Sequence, residues 1–271
     1  MRVIRALFLF ALSTVLATLM AYFLVVRPRL REWGADPHEA ALPIPGDDLV
    51  PEPTATETRG ITIDAPVSKV WPWLVQMGYE RAGWYSYDAL DNRGPSADRI
   101  LPEFQTLSVG DIMPTHPGGG FRVEVVEPER ALVLYIDTEL GRQQAEQAQA
   151  EGKADLPTPG LKFTGAVGAA SLPEFSVSWA FFLQPVEDGK TRLIERFRAR
   201  TPGGGPANAV FGEIMGTGVV LMTRKQMLGI KERVEGTVVP VDHIADEPVL
   251  ELDPDTLPVH KVPVEEEAVE A

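Results

Sequence analysis

The sequence contains no cysteine, only four histidines, and 25 Lys and Arg residues against 39 Asp and Glu residues. The absence of cysteine excludes a thiol nucleophile, a disulfide framework, an iron–sulfur cluster and a cysteine-based zinc site. The deficit of basic residues argues against a nucleic-acid partner, because phosphate binding needs a surplus of Lys and Arg. The histidines form no i, i+4 pair, so we expect no metal site and no cofactor: His38, His116, His243 and His260.

The composition is that of a globular protein, but the charge is unevenly distributed. Of the 271 residues, 44% are hydrophobic and 24% are charged, which excludes a wholly disordered chain. The first 31 residues carry five arginines and no acid, and residues 236–271 carry ten acids and one lysine, so the net charge of −14 does not describe any one region. We predict four segments: a membrane anchor over 1–31, a proline-rich linker over 32–58, a folded domain over 59–235 and an acidic, disordered tail over 236–271.

An uncharged run from Ala6 to Val26 lies between Arg5 and Arg27. As a helix, residues 6–26 would be about 30 Å long, which matches the hydrocarbon core of a bilayer. The run is longer than the apolar part of a signal peptide, so we favour an uncleaved single-pass anchor in the cell membrane over a cleaved signal. Arginines flank both ends, and the side of the membrane that carries the domain stays undetermined.

The linker is rich in proline, which excludes a regular helix and predicts extended chain with turns. It also carries several apolar residues, so we expect part of it to pack on the domain: Trp33, Leu42, Ile44 and Leu49.

The periodicity of residues 59–235 predicts an α+β domain. A short strand at Ile61 and Ile63 precedes a helix from Pro66 that has an apolar face and ends at Gly78. Further helices are predicted over 86–92, 139–153 and about 207–235. Strands separated by short turns indicate an antiparallel sheet: 111–115, 121–127, 131–137, 176–185 and 191–200.

The long last helix contains Gly212, Gly216 and Gly218. Each glycine costs roughly 1 kcal/mol relative to alanine inside a helix. We therefore expect another part of the protein, or a ligand, to approach this helix closely.

The order of these elements, with Ile63-Asp64-Ala65-Pro66 and Val70-Trp71-Pro72-Trp73-Leu74 at the first strand and helix, resembles the START-like superfamily, also called SRPBCC. The segments 71–76 and 83–88, with Arg99-Ile100 and Pro102-Glu103, look like an uncharacterised bacterial branch of that group. The superfamily includes pollen-allergen-type ligand carriers, lipid-transfer domains, polyketide cyclases and coenzyme Q-binding proteins. The resemblance implies a helix-grip fold, in which a curved antiparallel sheet wraps around a long C-terminal helix and encloses a hydrophobic pocket. It implies no particular reaction.

The last strand carries a carboxylate on its apolar face. Leu193, Glu195 and Phe197 share that face, whereas four arginines share the other, which we expect to be a solvated surface. If Glu195 faces a pocket, burial would raise its pKa and allow proton transfer. The alternative is a structural ion pair, with Arg99 or Arg122 as the partner.

The aromatic residues of segment 71–87 are candidates for both core and pocket. At helical spacing Trp71 and Trp73 are expected in the core, whereas Trp84, Tyr85 and Tyr87 follow a glycine turn and could line a pocket mouth. The predicted ligand-binding residues are Trp84, Tyr85, Tyr87, Asp88, Arg99, Glu103, His116, Phe181, Glu195, Phe197, Phe211, Met215 and Met222.

The sequence therefore predicts a membrane-anchored binding protein, a carrier or sensor, for a hydrophobic small molecule or lipid in a central cavity. One alternative is an enzyme of the polyketide cyclase or aromatase type, with Glu195 and either Tyr85 or Tyr87 as proton-transfer groups. A second alternative is a non-catalytic structural module of a membrane complex.

Overall fold

The computed structural model describes residues 2–153, 174–201 and 206–237. This part of the chain is α+β, with one six-stranded antiparallel sheet, an apolar helix at the amino terminus and a long helix at the other end. The described residues belong to one compact unit. Residues 238–271, which hold nearly all of the predicted acidic tail, lie outside the described residues.

The helices and strands of the domain follow the predicted order. The prolines of the linker were expected to exclude a regular helix, but Pro37–Ala41 is helical, because Pro37 occupies the first helical turn and Asp36 caps the helix. The N-terminal region contains α1 (Arg2–Ala21), a π-helical segment (Tyr22–Val26), α2 (Arg27–Arg31) and α3 (Pro37–Ala41). The domain continues with β1 (Ala55–Ile63), α4 (Val67–Val75), α5 (Asp88–Asp91), β2 (Ile112–His116), β3 (Gly119–Glu127), β4 (Ala131–Asp137), α6 (Thr138–Ala150), β5 (Ser176–Val186), β6 (Lys190–Arg200) and α7 (Pro206–Val234). The first strand is longer than the sequence suggested, because it begins at Ala55 inside the predicted linker.

The strand order in the sheet is β1-β6-β5-β4-β3-β2, and every neighbouring pair is antiparallel. The first strand therefore pairs with the last, which sets Arg59 opposite Glu195. The next pairing sets Trp179 of β5 opposite Phe197 of β6. Because side chains alternate along a strand, these four residues lie on the same face of the sheet.

Helices α4 and α7 pack against that face, which we call the inner face. The core there joins Val70 and Leu74 of α4, and Met227 and Ile230 of α7, to apolar side chains of the sheet. All four helix side chains are fully buried. Burial of such residues contributes about 1.5–3 kcal/mol each, so this layer accounts for much of the hydrophobic stabilisation of the domain.

Residues 37–50, which we call the strap, cover the opposite face of the sheet, the outer face. Ile44 is buried in a second apolar cluster with Val133 and Ile194. Gly46 has φ +92°, and a Cβ at that position would lie 2.5 Å from the Val133 side chain. Part of the predicted linker is thus packed on the domain, as its apolar residues indicated.

Three of the four arginines of β6 are covered, so the predicted solvated surface was wrong for Arg192, Arg196 and Arg198, whereas Arg200 is exposed. Arg196 is only 3% exposed and donates to Asp47 Oδ2 (2.7 Å) and to three strap carbonyls, those of Leu42, Glu39 and Ala40. Arg192 forms a bidentate pair with Glu39 at 2.6 and 2.7 Å. The guanidinium groups donate hydrogen bonds to backbone carbonyls of the strap, which is irregular and therefore leaves many carbonyls without a backbone donor.

One N-terminal helical span, Leu9–Arg31, has the length and hydropathy needed to cross a bilayer, and none of its most apolar window is buried against the domain. A signal sequence would have the same properties. The middle of the span touches the domain, where the Tyr22 hydroxyl lies 2.9 Å from the hydroxyl of Thr217 in α7.

The glycine that α7 needs for close approach is Gly229. A Cβ there would collide with the Tyr85 carbonyl, whereas a Cβ at Gly216 or Gly218 would meet nothing within 4 Å. The predicted close approach is therefore wrong for Gly216 and Gly218, and the side-chain surroundings of Gly212 lie outside the described part.

Candidate functional site

The centre of the inner face holds a buried carboxylate within an aromatic cluster. Trp179 stacks on Trp84, with ring centroids 5.2 Å apart and planes 15° from parallel. Phe121, Phe181 and Phe197 surround Trp179 at centroid distances of 5.5, 5.1 and 6.2 Å. Glu195 projects into this cluster from β6 and is fully buried.

Both oxygens of Glu195 accept hydrogen bonds from protein groups. The Trp179 indole donates to Oε1 at 2.6 Å, and Arg59 Nη1 donates to Oε2 at 3.3 Å. Burial raises the pKa of Glu195, and the nearby Arg59 charge and the Trp179 hydrogen bond oppose that rise. Each carboxylate oxygen of Glu195 therefore already has a structural hydrogen-bond donor.

The ion-pair partner of Glu195 is Arg59, neither Arg99 nor Arg122 as the sequence suggested. Arg99 has a 67% exposed side chain beside Asp98, and Arg122 pairs with Glu124 at 2.5 Å. Arg59 is fully buried and also contacts Glu57, which in turn lies 3.4 Å from Arg31 at the end of α2. A chain of alternating charges thus runs from the N-terminal helices to the centre of the inner face.

The inner face is less tightly covered beyond Trp179. Phe121, Ile136, Phe197 and Ala199 are half-buried and project on the same side as Trp179. We call these four residues the inner-face end. They form an apolar surface next to the aromatic cluster, and their chemistry suits an apolar ligand and offers no general acid or base.

Tyr85 is a structural residue rather than a rim residue. Its hydroxyl donates to the Trp73 carbonyl (3.1 Å) and accepts from Gln76 Nε2 (2.9 Å), and its ring packs edge-on against Trp73. Burial raises its pKa far above the usual value, despite the Gln76 hydrogen bond and the nearby Arg233 charge. Tyr85 has φ +59°, and this change in backbone direction separates two neighbouring side chains. Trp84 points to the sheet, whereas Tyr85 packs under α7.

Gln76, at the end of α4, connects that helix to the following loop by side-chain hydrogen bonds. Its Nε2 also donates to the Arg99 carbonyl at 3.2 Å, and its Oε1 accepts from Leu101 N at 2.9 Å and from Gln105 Nε2 at 3.1 Å. The amide is fully buried. The sequence segments that carry the START-like resemblance therefore build this loop and the core beneath it.

The polar residues predicted at a pocket mouth are not brought together. Tyr87 is 47% exposed, and Arg99 and Glu103 are exposed on the loop that follows. Asp88 accepts from Ser96 N (3.0 Å) and Ser96 Oγ (2.5 Å), which is loop hydrogen bonding. His116 ends β2, where its Nδ1 accepts from Gly118 N at 3.0 Å and burial lowers its pKa.

The remaining predicted residues divide between core and unassigned positions. Phe181 is fully buried beside Trp179, and Met222 is half-buried, with its carbonyl accepting from Ser86 Oγ at 3.0 Å. The side chains of Phe211 and Met215 lie outside the described part. Within the described ranges, no group of three or more His, Asp and Glu side chains could hold a metal ion.

The sequence interpretation missed Arg59, Trp179 and Gln76. Arg59 alternates with Ile61 and Ile63 along β1, so its position on the inner face was readable once β1 was known to pair with β6. The hydrogen bonds of Gln76 span loops of irregular geometry, and no local pattern signals them.

No protein-family model and no curated protein sequence matches the chain. Solved structures resemble it at low identity. A conserved protein from Geobacillus kaustophilus has 13% identity and a TM-score of 0.38, over 68% of this chain and 97% of that chain. A protein from Arthrobacter aurescens has 14% identity and a TM-score of 0.39, over 71% and 93%. A hypothetical protein from Helicobacter pylori has 12% identity and a TM-score of 0.38, over 70% and 93%.

Proposed function

We propose that the protein is a membrane-anchored START-like binding protein with a helix-grip fold, which holds a hydrophobic small molecule or lipid against the inner face. The observation that carries this proposal is the inner-face end: Phe121, Ile136, Phe197 and Ala199 are half-buried and contiguous with an aromatic cluster. Removing such apolar surface from water is worth about 25 cal/mol per Å², so an apolar ligand would gain by covering it.

The electrostatics of the site favour a ligand without a charged group there. Glu195 and Arg59 neutralise one another, and the Trp179 indole nitrogen is already used by Glu195. A charged ligand group placed beside Trp179 would lose its hydration without gaining a counter-charge. Recognition by shape and apolar contact is therefore the mode that we assign to this surface.

The geometry favours a carrier or sensor over a cyclase-type enzyme. Within the described ranges, Glu195, Tyr85 and Tyr87 share no hydrogen bond: Glu195 is held by Arg59 and Trp179, and Tyr85 by Gln76 and Trp73. Tyr87 is 47% exposed. General acid–base catalysis needs such groups within hydrogen-bond reach of one reacting centre.

The test is to purify the full chain in a mild detergent and to identify bound molecules by native mass spectrometry and solvent extraction. A copurified apolar compound is expected. Ala199→Trp would fill the inner-face end and should reduce ligand occupancy about tenfold, which corresponds to about 1.4 kcal/mol.

Val186→Trp is the matched control, because Val186 is 41% exposed at the end of β5. That variant should keep the occupancy of the natural protein. A folded protein without any bound compound, even after incubation with total membrane lipid, would refute the carrier proposal and favour a structural module.

A further inference from the structure

The contact between the apolar span and α7 fixes the height of the domain relative to a bilayer. Tyr22 lies four residues before Val26, the last residue of the uncharged run, and so about 6 Å inside the end of that run. Its hydroxyl is 2.9 Å from the hydroxyl of Thr217. A bilayer that accommodates the whole run must therefore reach the level of Thr217 in α7.

The domain surface near that level carries exposed apolar side chains. Leu221, one turn after Thr217 on α7, is 48% exposed. The Ser86 hydroxyl donates to the Met222 carbonyl, which places the start of α5 beside this turn, and Tyr87 and Leu90 are each 47% exposed. Large, exposed apolar side chains therefore lie on two adjacent elements near this level.

The sequence of α7 agrees with an apolar environment on this side. From Pro206 to Val220 it contains a single charged residue, Glu213. Beyond Leu221 the helix becomes basic, and the guanidinium of Arg224 lies 4.9 Å from the ring centroid of Trp33. Tryptophan and arginine together are typical of the headgroup level of a membrane.

We propose that Leu221, Tyr87 and Leu90, which we call the lipid-facing patch, lie against the bilayer that holds the N-terminal span. Arg224 and Arg29 then lie at the level of the headgroups, where anionic lipids would attract them. The inference rests on the membrane anchoring within the proposed function, and it is independent of the bound ligand.

The natural absence of cysteine makes the test direct. Three single-cysteine variants are labelled with an environment-sensitive fluorophore: Leu221→Cys, Phe10→Cys and Val186→Cys. Each full-length variant is then reconstituted in vesicles of phosphatidylcholine and phosphatidylglycerol. Doxyl-labelled lipid should reduce the fluorescence at positions 10 and 221 at least twofold. Iodide in the aqueous phase should quench position 186 instead.

Phe10, within the apolar span and 72% exposed, reports insertion, and Val186 reports the water-facing domain surface. Lipid quenching at position 10 without quenching at 221 would overturn the lipid-facing patch while leaving the anchor in place. Quenching at neither position would overturn both. Protection of position 221 from lipid and from iodide would show that a protein surface covers it, which would also overturn the proposal. Ligand occupancy, measured by mass spectrometry on the unlabelled chain, tests the carrier function separately.

Discussion

The pair formed by Glu195 and Arg59 illustrates what a buried charge demands of its neighbours. Both side chains are fully buried, and desolvation alone would cost several kcal/mol per ion. Glu57 and the Trp179 indole supply the additional contacts that make the arrangement tolerable. Because desolvation offsets the attraction, such a pair adds little to net stability, although it links β1 to β6 at directly opposed positions.

Glu195→Gln should lower the free energy of unfolding by about 3 kcal/mol, because it removes one of the two carboxylates that neutralise the buried Arg59 charge and leaves Glu57 to balance it. The double variant Glu195→Gln, Arg59→Met should recover part of that loss. Urea denaturation of the purified chain, followed by tryptophan fluorescence, measures both. A single variant as stable as the natural protein would show that Arg59 and Glu195 are not coupled.

Asp91 in α5 is a second buried carboxylate, which lies near the Ser86 hydroxyl and the Tyr87 amide without a well-formed hydrogen bond to either. Burial, and then the nearby Asp88 charge, raise its pKa to about 6 from an ordinary value near 3.8. The folded state therefore holds this proton more tightly than the unfolded state does. Stability from this group is present at low pH and is lost as the pH rises from about 4 to about 6.

Asp91→Asn should remove that pH dependence and raise the free energy of unfolding at neutral pH by on the order of 1 kcal/mol. Denaturation curves recorded between about pH 4 and pH 8 provide the measurement. Glu103→Gln, at an exposed position, is the matched control and should leave the profile as it is in the natural protein. An unchanged slope in Asp91→Asn would assign the pH dependence to another group.

At the scale of elements, one described side chain of β6 makes more hydrogen bonds to the strap than the other arginines of that strand do. Arg196 hydrogen-bonds three strap carbonyls and Asp47. Lysine keeps the charge but cannot reproduce the planar fork of donors.

Arg196→Lys should release the strap, and limited proteolysis should then cleave within residues 37–50 at least several-fold faster than in the natural protein. Mass spectrometry of the fragments locates the cuts. The control is Arg200→Lys, because Arg200 is 55% exposed and lies 3.9 Å from Glu52. Equal cleavage of the two variants would mean that apolar packing alone holds the strap.

The glycines of α7 should respond in opposite directions to substitution by alanine. Gly229→Ala should cost about 2 kcal/mol or more, because the new Cβ would collide with the Tyr85 carbonyl. Gly218→Ala, with open space around it, should stabilise the helix by up to about 1 kcal/mol. Thermal unfolding of the two variants distinguishes them, and destabilisation of similar size by both would contradict the packing described for Gly229.

For the whole molecule, local sequence patterns predicted the elements well because each depends on neighbouring residues. The strand Ala131–Asp137 was predicted to the residue, and α7 to within one residue at either end. Long-range pairing has no such local signal. Three features depend on contacts between distant parts of the chain: the pairing of Glu195 with Arg59, the packing of the strap on the arginines of β6, and the close contact of Gly229 with Tyr85.

The candidate site was predicted in part for the same reason. The alternation in β6 correctly indicated that Glu195 faces inward, because period-2 geometry is local. It could not show that Trp179 and Arg59 occupy both carboxylate oxygens. The loop residues from Tyr87 to Glu103 were plausible rim residues by composition, but loop geometry decides their exposure, and composition does not encode it.

The strap also affects the order in which parts of the domain can fold during synthesis. Glu39 and Asp47 leave the ribosome early, yet their partners Arg192 and Arg196 follow 153 and 149 residues later. The apolar N-terminal span is thus synthesised while the strap still has no sheet to pack on. Completion of β6 allows β1 and the strap to pack in one late step, so the domain should fold as a single cooperative unit only after the N-terminal span has emerged.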